Sequence, residues 1–375
     1  MDGKIDIENH LNQNLKRING LTYNNNEIDL NDANKKITNL PATVKLYGYA
    51  FTISENGDVD KIQWIDNNNG SYTNAETGQT LTVGDTVKYE TILNANADYG
   101  SKLTTLRSDL ANYSGNSSST DNSGIDRDSL TWKVLDVKDG KIRLISTVPT
   151  TKKIELSSAN GYNNAVYLID KACDTLYSID RVGTAQNLKI EDIEGTLTYD
   201  YTQYANSYVD TGKYGGTKEY TKGYVLGLQY PNIYSSEVGC KAIATADNTD
   251  NTLGLSSQSR PVTGSSTATS RLKVTQTYWS KSMASTDFTD SKYYPLFINN
   301  GSNLATYWLS SRCVTCGDIN VSFRVRRVGG GYLHDYIMFD NVGNTYGTPH
   351  PFRPVVSLKS DIQLSGSSSE GWMIQ

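Results

Sequence analysis

Cysteine, histidine and phenylalanine are scarce in this chain: four, three and six of 375 residues. With only His10, His334 and His350, and no Gly-x-Ser-x-Gly elbow, the sequence gives a Ser/His/Asp hydrolase no footing. The glycines at 329–331 lack the lysine and following helix of a phosphate-binding loop, and a hairpin turn accounts for them. No run of 18 apolar residues and no charged-then-apolar leader is present, so no span or export signal is read from the sequence as given. The net charge of −5 argues against a general nucleic-acid binder, and none is expected as a partner. The cysteines are Cys173, Cys240, Cys313 and Cys316, with one Cys-x-x-Cys. A structural zinc site needs four ligands, and His334 or His350 would have to complete it. A disulfide and two buried thiols are the other readings. No cofactor or metal is predicted.

Apolar residues make up 37% of the chain, and Asn, Ser, Thr, Gly and Tyr fill the difference. The 26 tyrosines far exceed the six phenylalanines. Tyrosine suits surfaces with one dry and one wet end, and it also favours strands.

Along the chain, residues 1–20 carry a short amphipathic helix pattern, and 41–66 reads as a hairpin about Asn56-Gly57. Together they suggest an N-terminal helix-plus-hairpin module over 1–80. Residues 112–129 are polar and read as a surface loop or disordered insert. Residues 130–147 form a hairpin about Asp139-Gly140, and 161–178 is the clearest helix, with a second at 188–197. Residues 198–275 read as long loops with a strand at 223–230. From Tyr307 onward strands dominate. No strand–helix–strand alternation appears, so the expected class is α+β.

The phrases "VGDTVKYE", "WKVLDV", "GYNNAVYLIDKACDTLYS", "YPNIYSSEVGC", "TYWLSSRCV" and "RPVVSL" together resemble uncharacterised surface proteins of gut Firmicutes. The resemblance covers about 81–365. It implies a C-type-lectin-like domain of the formylglycine-generating-enzyme kind, with two helices, antiparallel sheets and long loops, over 81–375. Some proteins of this fold are diversified by retroelements, and 313–352 corresponds to the variable stretch of the family. The start of the chain resembles, more faintly, a pilin-like protein without its apolar helix. Attachment to a membrane or pilus through a missing N-terminal segment is therefore expected.

Within that stretch stands "SFRVRRVGGGYLHDYIMFDN", residues 322–341. Phe323, Val325 and Met338 alternate with polar neighbours, so one face is expected to pack while the other stays free. The candidate ligand-binding residues are Thr315, Asp318, Asn320, Arg324, Arg326, Tyr332, His334, Tyr336, Asp340, Asn341, Asn344, Tyr346 and His350. Replacing Arg324, Tyr332 and Tyr336 is expected to spare stability. Residues 312–353 hold five Arg and three Asp, a local surplus of two positive charges on a negative chain. An acidic or hydroxyl-rich partner, a protein or glycan on another cell or phage, suits that mixture. The calcium motifs of lectins, Glu/Gln-Pro-Asn/Asp and Trp-Asn-Asp, are missing. The expected function is non-enzymatic, surface-displayed binding. The alternatives are a thiol-dependent oxidase using Cys313 and Cys316, and a structural pilin or tail-fibre subunit.

Overall fold

The computed structural model describes residues 64–74, 77–89, 98–204, 214–221, 271–299, 305–318, 320–340, 344–359 and 362–375, with the backbone of short strands between 22 and 62 and of 244–246. The expected helix at 1–20 and strand at 223–230, with His10, Cys240 and Asn341, lie outside the described residues.

In chain order the main elements are β1 Thr86–Val87, α1 Tyr99–Tyr113, α2 Thr120–Ser123, β2 Trp132–Lys138, β3 Lys141–Ser146, β4 Lys153–Ser157, α3 Ser158–Tyr177, β5 Gly183–Asn187 and α4 Ile190–Glu194. There follow β6 Lys281–Ser282, α5 Tyr293–Phe297, β7 Tyr307–Cys316, β8 Val321–Gly329, β9 Tyr332–Asp340, β10 Gly347–Pro351, β11 Pro354–Leu358, β12 Leu364–Ser367 and β13 Gly371–Ile374. The architecture is α+β, mostly sheet with few helices. A seven-stranded sheet runs β5-β11-β3-β2-β1-β13-β12, and a four-stranded sheet runs β6-β9-β8-β7. Their pairings are antiparallel, except that β13 meets β1 in parallel.

Local chemistry explains the joints. Asp139 and Gly140 both take positive φ, as a two-residue turn between β2 and β3 requires. Helix α3 buries Ala165, Leu168, Ile169, Ala172, Cys173 and Leu176, and it touches both sheets. Tyr162 of α3 packs edge-on against Phe323 and Phe339 of the four-stranded sheet. Asn187, at the end of β5, couples the sheets. Its amide donates to Trp308 O at 2.9 Å, and its carbonyl accepts from Arg353 N at 2.7 Å.

Two expectations need correction. The stretch 112–129 is not a loose insert but contains the end of α1 and all of α2. Buried Asn122 donates to Ser114 Oγ and Glu155 O, each at 3.0 Å, and accepts from Glu155 N at 2.9 Å. Ser157 N donates to Ser114 O at 2.8 Å. Polar side chains satisfy β4 backbone here, so the segment is ordered with few apolar anchors. The boundary at residue 80 cuts the strand Thr80–Thr82, which pairs with Ser71–Asn74. Trp64 and Tyr72 of that sheet belong to the same hydrophobic core as β1–β3. The hairpin expected at 41–66 has its counterpart in the antiparallel strands Tyr49–Ile53 and Val59–Ile62, while the Asn56-Gly57 turn lies outside the described residues.

Candidate functional site

The hairpin β8–β9 closes on Gly330 and Gly331, both at positive φ, with Gly329 opposite Tyr332. Gly329 serves a second purpose, since a Cβ there would lie 2.8 Å from His334 Nε2. Cross-strand partners share a sheet face. Arg326 stands opposite Asp335, while Val325 stands opposite Tyr336 and Arg327 opposite His334. The register shifts between Phe323 and Arg324. Arg324, Arg326 and Asp335 thus occupy one face, and Phe323, Val325, Arg327, His334 and Tyr336 the other.

The first face is interior. Arg326 is 1% exposed, stacks over Trp279 at 4.9 Å, and donates from Nη1 to Trp279 O at 2.6 Å. Arg324 pairs with buried Asp335 at 2.8 Å. Trp279 Nε1 donates to Glu194 at 2.8 Å. Arg326 Nη2, Arg324 Nε, Asp335 Oδ2 and Thr315 Oγ1 are buried without a hydrogen-bond partner among the described residues. Arg326 and Thr315, expected to project outward, are therefore corrected to interior residues, and Arg324 to an internal ion-pair member. Strand alternation separates two faces but does not say which of them solvent reaches.

Cys313 and Cys316 are both buried, and Cys313 carries a free thiol. Three positions apart on one strand, they point to opposite faces. Burial pushes the Cys313 thiol up to about 12. A buried thiol held neutral is a poor nucleophile.

The second face changes character along its length. At one end Phe323 and Phe339 stack under Tyr162. At the other, beyond the reach of α3's Tyr162, stand Arg327, His334 and Tyr336, joined by His350 from β10. Trp308 forms the floor, fully buried, with its indole N–H donating to Ile154 O at 2.9 Å. His350 packs edge-on to Trp308 at 4.5 Å, and Tyr336 lies 6.2 Å from His350. Arg327 sits 5.3 Å above the Tyr336 ring. Its Nη1 donates to His350 Nε2 at 2.7 Å and its Nε to Asp335 O at 3.0 Å. Guanidinium is donor-only, so His350 Nε2 accepts and the imidazole proton sits on Nδ1. Burial, and then Arg327, hold His334 and His350 down at about 4, so both are neutral at pH 7.

Tyr332 and Tyr346 are 49% and 39% exposed. Asn344 is exposed and donates to Asp340. Asp340 itself is buried, accepting from Asn344 through both carboxylate oxygens, and so is corrected from ligand contact to a structural acceptor. Asp318 lies apart, 78% exposed and 3.6 Å from Lys218, and Asn320 O accepts from Gly317 N in the β7–β8 turn. The expected set thus separates into a gathered group (His334, Tyr336 and His350, with exposed Tyr332 near His334), the exposed Asn344 and Tyr346, the distant Asp318 and Asn320, and the interior residues above.

Arg327 is missing from the expected set. It shares the parity of Phe323 and Val325, which marks it as scaffold. The usable signal is its position: it lies at the open end of the hairpin face, near the glycine turn.

No protein-family model, curated protein or solved structure matches the chain.

Proposed function

We propose that the chain is a non-enzymatic binding protein. It presents the outer end of β7–β10 to a protein or glycan ligand from a C-type-lectin-like domain displayed at a cell surface, with an N-terminal part serving attachment. The observation that carries this reading is the gathering of Arg327, His334, Tyr336 and His350 over the buried Trp308, with Tyr332 exposed beside His334. Tyrosine and arginine on a rigid base are the residue types that most often carry binding energy. The stretch 313–352 holds all of these but Trp308, as a retroelement-diversified surface requires. The thiol-oxidase alternative is weakened by the burial and separation of Cys313 and Cys316.

The test is a glycan and protein-ectodomain array probed with the full chain and with Tyr332→Ala, Tyr336→Ala and Tyr346→Ala. Loss of a specific signal at unchanged melting temperature supports the reading. A signal indifferent to all three sinks it. In the neighbouring DNA, a near-copy of the 313–352 coding segment differing only at adenines would support diversification.

A further inference from the structure

We infer that the outer end of this face receives the carboxylate of an acidic sugar, with Arg327 as the group that binds it; this rests on the binding reading above. Arg327 is a half-buried cation that forms no ion pair with a carboxylate among the described residues; Asp335 acts on it only through space. The Asp335 carboxylate lies on the opposite face, paired with Arg324. Arg327 is held instead by two neutral acceptors, His350 Nε2 and Asp335 O. Those bonds fix the guanidinium plane without cancelling its charge. Nη2 donates to nothing among the described residues. A positioned guanidinium with free N–H groups matches a carboxylate, and partial burial strengthens the bond. Lys153, exposed on β4 opposite Pro351, adds a second positive charge that His350 feels and that pairs with no carboxylate among the described residues.

The surroundings select a sugar over a protein. Tyr336 stands beside Arg327 over Trp308, His334 is opposite Arg327, and Tyr332 lies beside His334. Aromatic rings with polar rims accept the C–H face and hydroxyls of a pyranose. The cation is recessed: Arg327, His334, Tyr336 and His350 are all only partly exposed. A protein partner would cover about 20–30 residues a side, whereas this group is five side chains, Arg327, Tyr332, His334, Tyr336 and His350. His350 is a positioning residue here, acting through Arg327.

The experiment compares oligosaccharides ending in glucuronic acid or N-acetylneuraminic acid with their neutral methyl esters, titrated calorimetrically against the full chain. The acid is expected to bind about ten- to hundredfold more tightly than its ester. Arg327→Gln should abolish that ratio, and His350→Ala should lower it. If Arg327→Gln does not fold, Arg327→Lys decides: charge without the planar fork must still reduce the ratio. Equal binding of acid and ester, a ratio that survives loss of Arg327, or no binding of either sugar overturns the inference. If in that case an ectodomain binds and Tyr332→Ala abolishes it, the binding reading stands and only the sugar falls. If no ligand of any class depends on the tyrosines, both fall.

Discussion

Arg326 and Arg327 are neighbours on one strand, yet they live in opposite media. Arg326 is sealed between the sheet and Trp279, with a carbonyl acceptor, a ring face and Glu194 nearby. Arg327 meets two neutral acceptors at a rim that solvent reaches. Arg324 is intermediate, half-buried but committed to Asp335. A one-residue step in a strand inverts the face, and so inverts the role of an identical side chain. The buried arginines serve the scaffold; the rim arginine forms no ion pair among the described residues.

That contrast orders the expected effects. Arg326→Ala should be the most damaging, costing about 3–5 kcal/mol in a denaturant melt, because it strips a buried charge network of its cation. A loss under about 1 kcal/mol would place Arg326 with Arg327 and erase the distinction. Arg324→Ala should cost about 2–3 kcal/mol, because Asp335 would be left buried and unpaired; the Arg324→Ala, Asp335→Ala double variant should recover part of it. This revises the expectation that Arg324 is dispensable for folding.

The histidines give a pH test. In the folded chain His334 and His350 sit at about 4, against roughly 6.5 when unfolded. The unfolded chain then binds more protons, so their contribution is complete above pH 6.5 and declines as pH falls towards 4. After allowance for partial exposure, each should cost on the order of 2 kcal/mol across that window. Glu191, pushed up to about 7 by burial, works in the opposite sense, so the readout is a difference. The His334→Gln, His350→Gln double variant should lose less stability than the parent as pH falls from 6.5 to 4. Parallel profiles would mean that the imidazoles are not desolvated.

The smallest stability effects belong to Tyr332→Ser and Tyr346→Ser. Each should change stability by no more than about 0.5 kcal/mol in the same melt, because both side chains are largely outside the core. A larger loss from either would join the rim to the scaffold.

Several features are legible in the amino-acid sequence alone. Asp139-Gly140 and the glycines at 329–331 announce their turns, because positive φ is cheap only for a few residues. The periodicity of 161–178 announces α3, and alternation announces the β8–β9 hairpin. Helix α1 is hidden because only Leu103, Leu106 and Leu110 mark its buried side. The order at 114–124 is hidden because it depends on Asn122 reaching the backbone of Glu155, a partner 33 residues away.

By itself, the sequence determined the α+β class, the turns, and the separation of the hairpin's side chains into two sets, since all three follow from local backbone preference and alternation. Which set would be wet was decided by tertiary structure alone. Trp279 and Tyr278 close over Arg326, and α3's Tyr162 covers only the Phe323 end of the other face. Burial depends on what distant segments pack against a face, and no local pattern along a strand encodes that.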